Sequence, residues 1–234
     1  MKKLMIAMVT VAMAAAVTAA PKRKVQAGAG NDDGPETTGR AAKIQVDPIQ
    51  LGQQALALAP NINGLAQYFK KPRQWIVLNT KYTTFGTDTS KFLEQLTFSW
   101  HVVLESKTAK ENKGNREQLP PYSYFTTTVT YFNIPAGQHG ASVCLAPSYL
   151  ERYGEPKAVG FVVTNQNGEE LAGDCWSEIR GIAAHKKFWE NQDIMGATDK
   201  ATGKPMIERR QGLVDRSKTI WALVNPNDYE ATVQ

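Results

Sequence analysis

Residues 96–104 read LTFSWHVVL. In an extended chain Leu96, Phe98, Trp100, Val102 and Leu104 share one face and Thr97, Ser99, His101 and Val103 the other, the two-residue period of an antiparallel strand with one buried side. Two further runs flank it. Upstream, WIVLNTKYTTF (residues 75–85) is rich in β-branched and aromatic residues and is bounded by Pro72 and Gly86. Downstream, after Pro120-Pro121, comes YSYFTTTVTYFNI (residues 122–134), of the same composition. The polar segment Lys107 to Gln118 between the second and third runs predicts a hairpin whose long basic loop carries Lys107, Lys110, Lys113 and Arg116.

The period of two continues toward the C-terminus. Gly140 to Leu145 reads as a short strand, Ser148 to Tyr153 as a single helical turn after Pro147, and Lys157 to Thr164 as another strand. Asn165-Gln-Asn-Gly168 signals a hairpin, because Asn-Gly tolerates positive φ. Its partner strand starts at Glu169 and is expected to run through Cys175 toward Ile179. A helix near His185 to Met195, a polar loop from Asp199 to Arg216 and a last strand at Thr219 to Val224 complete the reading. Before the strands, Ile44 to Gln50 alternates briefly, and the residues from Leu51 to Leu58 read as a short helix ended by Pro60. The expected fold is mainly β: an antiparallel two-sheet sandwich, immunoglobulin-like, with one or two short helices. A closed barrel is the alternative. The Cys, Trp, Cys order of antibody domains is not matched, since Trp176 adjoins the second cysteine.

Lys2 and Lys3, the apolar run Leu4 to Val17 and the small residues ending at Ala19 have the layout of a secretory signal peptide, residues 1–19. Seventeen residues rise only about 25 Å as a helix, short of the roughly 30 Å needed to stay as an anchor. No Gly or Glu lies between Met1 and Ala20, unlike a type IV pilin leader. No later run approaches the length of a membrane-spanning helix, so no transmembrane segment is expected after cleavage. Residues 20–42, with Val25 as the one bulky apolar side chain, read as a flexible leader, and residues 43–234 as the β-sandwich domain. The expected location is extracytoplasmic: periplasm, outer cell surface or medium.

Loss of Lys2 and Lys3 from the 27 basic residues leaves 25 against 22 acidic ones, a formal charge of +3. These basic residues are scattered, whereas nucleic-acid binding needs a concentrated patch, so no nucleic-acid partner is expected. Cys144 and Cys175 are the only cysteines. An even count in an exported chain reads first as a disulfide, which across about 32 residues would contribute about 3.7 kcal/mol. Two separate buried thiols are the alternative.

No pattern of established chemistry is present. There is no G-x-S-x-G, no phosphate-binding glycine loop and no calcium loop. His101, His139 and His185 lack metal-ligand spacing. No catalytic residue, metal or cofactor is assigned, and His101 is read as a polar residue on the outer face of its strand. Tyr122, Tyr124, Thr126 and Thr128, with Lys110, Lys113 and Arg116 of the adjoining loop, form a candidate interaction surface if the Tyr124 face is open. The alternative is that this face is covered by the segment around Phe188 and Trp189.

On its leader MKKLMIAMVTVAMAAAVTA, the segment YSYFTTTVTYFNI and the pair Cys144 and Cys175, the chain resembles the small secreted immunoglobulin-like proteins associated with type IV pilus-type gene clusters in verrucomicrobial gut bacteria. The resemblance implies a non-enzymatic extracytoplasmic protein working in surface appendage assembly or host contact, with envelope, pilus-assembly or host-surface proteins as partners. It carries over no functional residues. An exported glycan- or small-ligand-binding protein is the second expectation and an extracytoplasmic hydrolase the third.

Overall fold

A computed structural model describes residues 43–49, 55–59, 73–86, 91–106, 120–182 and 187–224. The expected signal peptide and leader, His185 and the segment with Lys110, Lys113 and Arg116 lie outside these residues. The described chain forms ten strands: β1 (Lys43–Val46), β2 (Leu56–Leu58), β3 (Gln74–Phe85), β4 (Phe92–Glu105), β5 (Tyr122–Pro135), β6 (Gly137–Leu145), β7 (Glu155–Thr164), β8 (Glu170–Ser177), β9 (Ile207–Arg210) and β10 (Val214–Asp215). They make two sheets. One has the order β1-β3-β6-β10 with β2 also on β3, and the other β8-β7-β4-β5-β9.

The two-residue period places these strands. Leu96, Phe98, Trp100, Val102 and Leu104 of β4 all point into the space between the sheets, where they meet Ile76, Leu78 and Tyr82 of β3, Val143 and Leu145 of β6, and Phe161 and Val163 of β7. Rings dominate the contact. Phe98 lies 5.1 Å from Tyr82, 5.5 Å edge-on from Tyr131 and 5.9 Å from Phe161, and Trp100 lies 5.2 Å from Phe161. Each large side chain taken fully out of water here stabilises the fold by roughly 1.5–3 kcal/mol. β4 and β5 pair antiparallel from Phe92 opposite Pro135 to Glu105 opposite Tyr122, the hairpin their composition predicts. The Asn165–Gly168 turn joins β7 to β8, with Gly168 at φ 80° and its N–H donating to the Asn165 carbonyl at 3.0 Å.

Lettered in the manner of immunoglobulin domains, β1, β3 and β6 take the places of A, B and E, and β8, β7, β4 and β5 those of G, F, C and C′. β1 and β2 run in the same direction along one edge of β3 and act as one interrupted edge strand. The chain beyond β8 is an addition to that plan. β9 pairs parallel with β5 and extends one sheet, and β10 pairs antiparallel with β6 and extends the other.

Several expectations are corrected. Leu56–Leu58 is a strand, not part of a helix, and the preceding residues 51–54 lie outside the described chain. β8 ends at Ser177, short of Ile179. The segment expected as a helix up to Met195 is a 3-10 turn at Phe188–Glu190 followed by a single helical turn at Gln192–Met195. The segment expected as a polar loop contains β9 and β10. Residues Ile220–Val224, expected as a strand, form a 3-10 helix. Apolar β-branched composition alone does not separate a strand from a short turn of helix.

The disulfide is also corrected. Cys144 and Cys175 are both buried but are not joined to each other. Their neighbours in sequence explain why. Val143 and Leu145 point into the core between the sheets, so Cys144 points out of the far side of its sheet. Cys175 points out of the far side of the other sheet, among Val103, Ala158 and Phe188. Sheets pack about 10 Å apart, and a bridge needs Cα atoms within roughly 7 Å and Cβ vectors that do not point apart, a condition that side chains leaving two different sheets on their far sides do not meet. Labelling of the unfolded, unreduced protein with a thiol reagent is therefore expected to modify both cysteines, and recovery of unlabelled protein would contradict this arrangement.

Candidate functional site

β4 is buried on both sides over part of its length. Val102 and Leu104 face the main core, while Val103, outward by the strand's alternation, is also fully buried. It belongs to a second apolar cluster with Tyr124, Ala158, Cys175, Ile182 and Phe188, against which Ile179, Trp189, Ile194 and Met195 also pack. Residues 178–182 and 187–196 thus lie over the outer face of the sheet as a strap. Asn191 caps its helical turn by accepting the Asp193 N–H at 2.9 Å. Lys187 ties it to the sheet's edge strand through an ion pair with Glu170 and lies 3.6 Å from Glu190.

A row of parallel rings lies under and beside the strap. The indole of Trp189 stacks on the His101 imidazole at 4.1 Å and 5°, and His101 in turn lies 6.1 Å from the Tyr124 ring at 14°. The guanidinium of Arg209 from β9 completes the row 5.6 Å from the Tyr124 centroid, a cation–π contact. Gly160 makes room for the indole. A Cβ there would come within 2.2 Å of Trp189 Cζ3 and 3.3 Å of the Asp174 carbonyl oxygen. Glycine inside a strand marks this kind of close approach.

Burial sets the charge states. It lowers the His101 pKa to about 4, so the imidazole is neutral. His101 Nδ1 is hydrogen-bonded to the Tyr124 hydroxyl at 2.7 Å. Burial raises the Tyr124 pKa, against smaller opposing effects of the Thr126 hydrogen bond and the Arg209 charge. Cys175 is pushed up to about 11, first by burial and then by the Asp174 carboxylate, with a backbone hydrogen bond from Phe188 acting the other way. This thiol is not a nucleophile at neutral pH. His101, Tyr124 and Cys175 are therefore neutral, and the charge in the row is the Arg209 guanidinium.

Of the surface read from sequence, Tyr124 is 4% exposed and covered by the strap, as the alternative reading had it. Tyr122 is half-buried and Thr126 and Thr128 are exposed. Thr126 Oγ1 donates to the Trp100 carbonyl at 2.9 Å. His139 lies within β6 with Nε2 2.7 Å from the Pro135 carbonyl oxygen, remote from His101. Among the described residues no group of three His, Cys, Asp or Glu side chains could hold a metal ion, and no helix is long and apolar enough to cross a membrane. The sequence named Trp189 as a cover for the Tyr124 face, and Gly160 inside a strand pattern was a signal of its close approach; Arg209 was given no role there.

These features define an immunoglobulin-type β-sandwich with a C-terminal strap over its G-F-C-C′ face. A protein-family model matches residues 36–219, and the chain belongs to that family. A crystal structure of a protein from Akkermansia muciniphila is similar, with a TM-score of 0.58 and 19% sequence identity over 85% of this chain and 99% of the other. At that identity the likeness is one of fold. No curated protein matches the sequence.

Two outcomes are expected. Gly160→Ala displaces the Trp189 ring and lowers stability by about 1–3 kcal/mol, measurable by denaturant unfolding with a red shift of tryptophan emission in the folded state. For His101 the folded-state pKa lies below the unfolded value near 6.5, so the unfolded chain binds more protons between about pH 6.5 and 4. Its effect is stability that falls as pH drops through that window and levels off below it. Tyr124 and Cys175, with raised pKa values, stay neutral there. Melting curves of His101→Gln should show a shallower fall than the parent over the same window.

Proposed function

We propose that this protein is an exported, non-enzymatic module that docks on an envelope, pilus-assembly or host-surface protein and serves appendage assembly or surface contact. The observation that carries this reading is a pair of phenylalanines at one end of the sandwich. Phe85, the last residue of β3, is 47% exposed, and Phe92, the first residue of β4, is 54% exposed. Chain connectivity puts both at the same end, beside Lys43 opposite Phe85 and Pro135 opposite Phe92. Exposed rings with a polar and basic surround are the composition of a protein-docking patch, in which a few aromatic anchors carry most of the binding energy. The ends of immunoglobulin-type sandwiches are also where their binding loops cluster.

Sheet edges support the same location by a physical argument. β9 and β10 occupy two edges, β1 and β2 form an interrupted third, and β8 carries the inward-facing Asp174 beside a register shift at Val163/Thr164. Such features disfavour strand addition, which leaves side-chain docking at the end as the favoured mode.

Crosslinking from intact producing cells, with the protein as bait and mass spectrometry as the readout, tests the reading. Envelope or appendage-assembly proteins are expected with the parent chain, and the double variant Phe85→Ser, Phe92→Ser is expected to lose them while its circular dichroism and melting curve stay close to the parent's. Capture unchanged in the double variant would sink the docking site, and absence of any protein partner for the parent would sink the function.

A further inference from the structure

One row of outward positions crosses the sheet under the strap. His101 of β4 stands opposite Thr126 of β5 on one side and Gly160 of β7 on the other, and Gly160 stands opposite Cys175 of β8. The Trp189 indole fills the place that Gly160 leaves, since a Cβ there would lie 2.2 Å from its Cζ3. The indole therefore sits over the gap between His101, on which it stacks at 4.1 Å, and Cys175, which is 2% exposed in a cluster with Phe188. Among the described residues the one charged tie between residues 187–196 and the sheet is the Lys187–Glu170 pair. That pair is exposed and contributes little, so the arm is held chiefly by this row and its apolar neighbours.

The row has no place for a charged imidazole. His101 Nδ1 is bonded to the Tyr124 hydroxyl at 2.7 Å, and Nε2 has no acceptor among the described residues. A proton on both nitrogens leaves one buried N–H unpaired. The charged groups nearby are engaged or of the wrong sign. On β9, Arg209 lies beyond Tyr124 and Glu208 pairs with Arg210 on the inner side. On β8, Asp174 faces inward to accept the Ile49 N–H, and Glu170 holds Lys187. On β7, Lys157 is paired with Glu178 at the start of the strap, with Glu105 and Glu155 near the same ammonium. In the strap, Glu190 lies 3.6 Å from Lys187, and Arg180 and Asp193 are exposed. The indole face attracts a cation, but burial outweighs it and lowers the His101 pKa to about 4.

We propose that the arm Phe188–Met195 is an acid-released cover, closed on the neutral His101 ring and opened by a proton on that ring, which uncovers Cys175, Val103 and Tyr124 while the two sheets stay packed. Opening breaks only the smaller cluster, because Phe98, Trp100 and Tyr131 lie in the main core on the inner side. In the open state the ring meets water and titrates near 6.5, so that state binds more protons between about pH 6.5 and 4 and its share grows as pH falls. The open fraction rises about twentyfold from pH 7 to pH 5. This is a local release, separate from the Phe85 and Phe92 end and independent of the docking reading.

The two cysteines supply the test. Both are buried on the outer sides of different sheets, and of the two Cys175 packs in the strap's cluster. The folded full chain is labelled at pH 7 and pH 5 with dithiodipyridine, a disulfide that reacts with thiols in mild acid, and each rate is divided by that of the same cysteine in the urea-unfolded chain at the same pH. Cys175 labelling is expected to rise about twentyfold between the two pH values, with Cys144 unchanged. His101→Gln, which has no titrating ring, is expected to rise less than about threefold, which assigns the effect to the imidazole and not to the surrounding carboxylates. Gly160→Ala, which displaces the indole, should speed Cys175 labelling already at pH 7. Equal protection of Cys175 at both pH values, exposure of Cys144 in step with it, the full rise retained in His101→Gln, or parent-like protection in Gly160→Ala would each overturn the proposal.

Discussion

β4 has to be covered twice. Its inner side supplies Phe98 and Trp100, the rings on which the two sheets close, and its outer side presents Val103 beside Val102 and Leu104. A sandwich buries only one side of each sheet, so an apolar residue at the centre of the outer face needs a third layer. Residues 178–182 and 187–196 provide that layer with Ile182 and Phe188, and much of the chain's departure from a plain immunoglobulin plan follows from the same need. Once the strap has crossed the face it delivers the chain to β9 and β10, where it occupies one edge strand position in each sheet.

The strap divides the outer face into two environments. Under it, burial holds His101 and Tyr124 neutral and stacks them between Trp189 and Arg209. Beyond it, the strands keep their small hydroxylated residues in the open. The boundary falls at Gly160, where the absence of a side chain lets the indole stand directly on β7. One glycine therefore sets how far the covered region extends.

The main strands were legible because each carries its period in its own residues. Phe98 and Trp100 could be assigned to the core without reference to anything distant, and the Asn165–Gly168 turn announced itself. What could not be read depends on partners far along the chain. β9 is a four-residue segment, Ile-Glu-Arg-Arg, with no strand composition, and it becomes a strand only because β5 offers a parallel edge. The cysteines misled because an expected secretory leader and an even count say nothing about which face of which sheet a side chain leaves from. The face of Tyr124 was readable only as two alternatives, since the choice rests on whether Phe188 and Trp189 come back to cover it.

The parallel pairing of β9 with β5 also bears on how the molecule is made. Tyr122 to Phe125 wait for Ile207 to Arg210, and Val143 and Cys144 wait for Val214 and Asp215. Such distant pairings slow folding, because the loop must close before the contact repays it. A chain emerging N-terminus first therefore holds two unsatisfied strand edges until residues 207–215 arrive. For that interval it is a client for whatever in the cell shields exposed backbone, and the last strands act as the seal that ends its dependence.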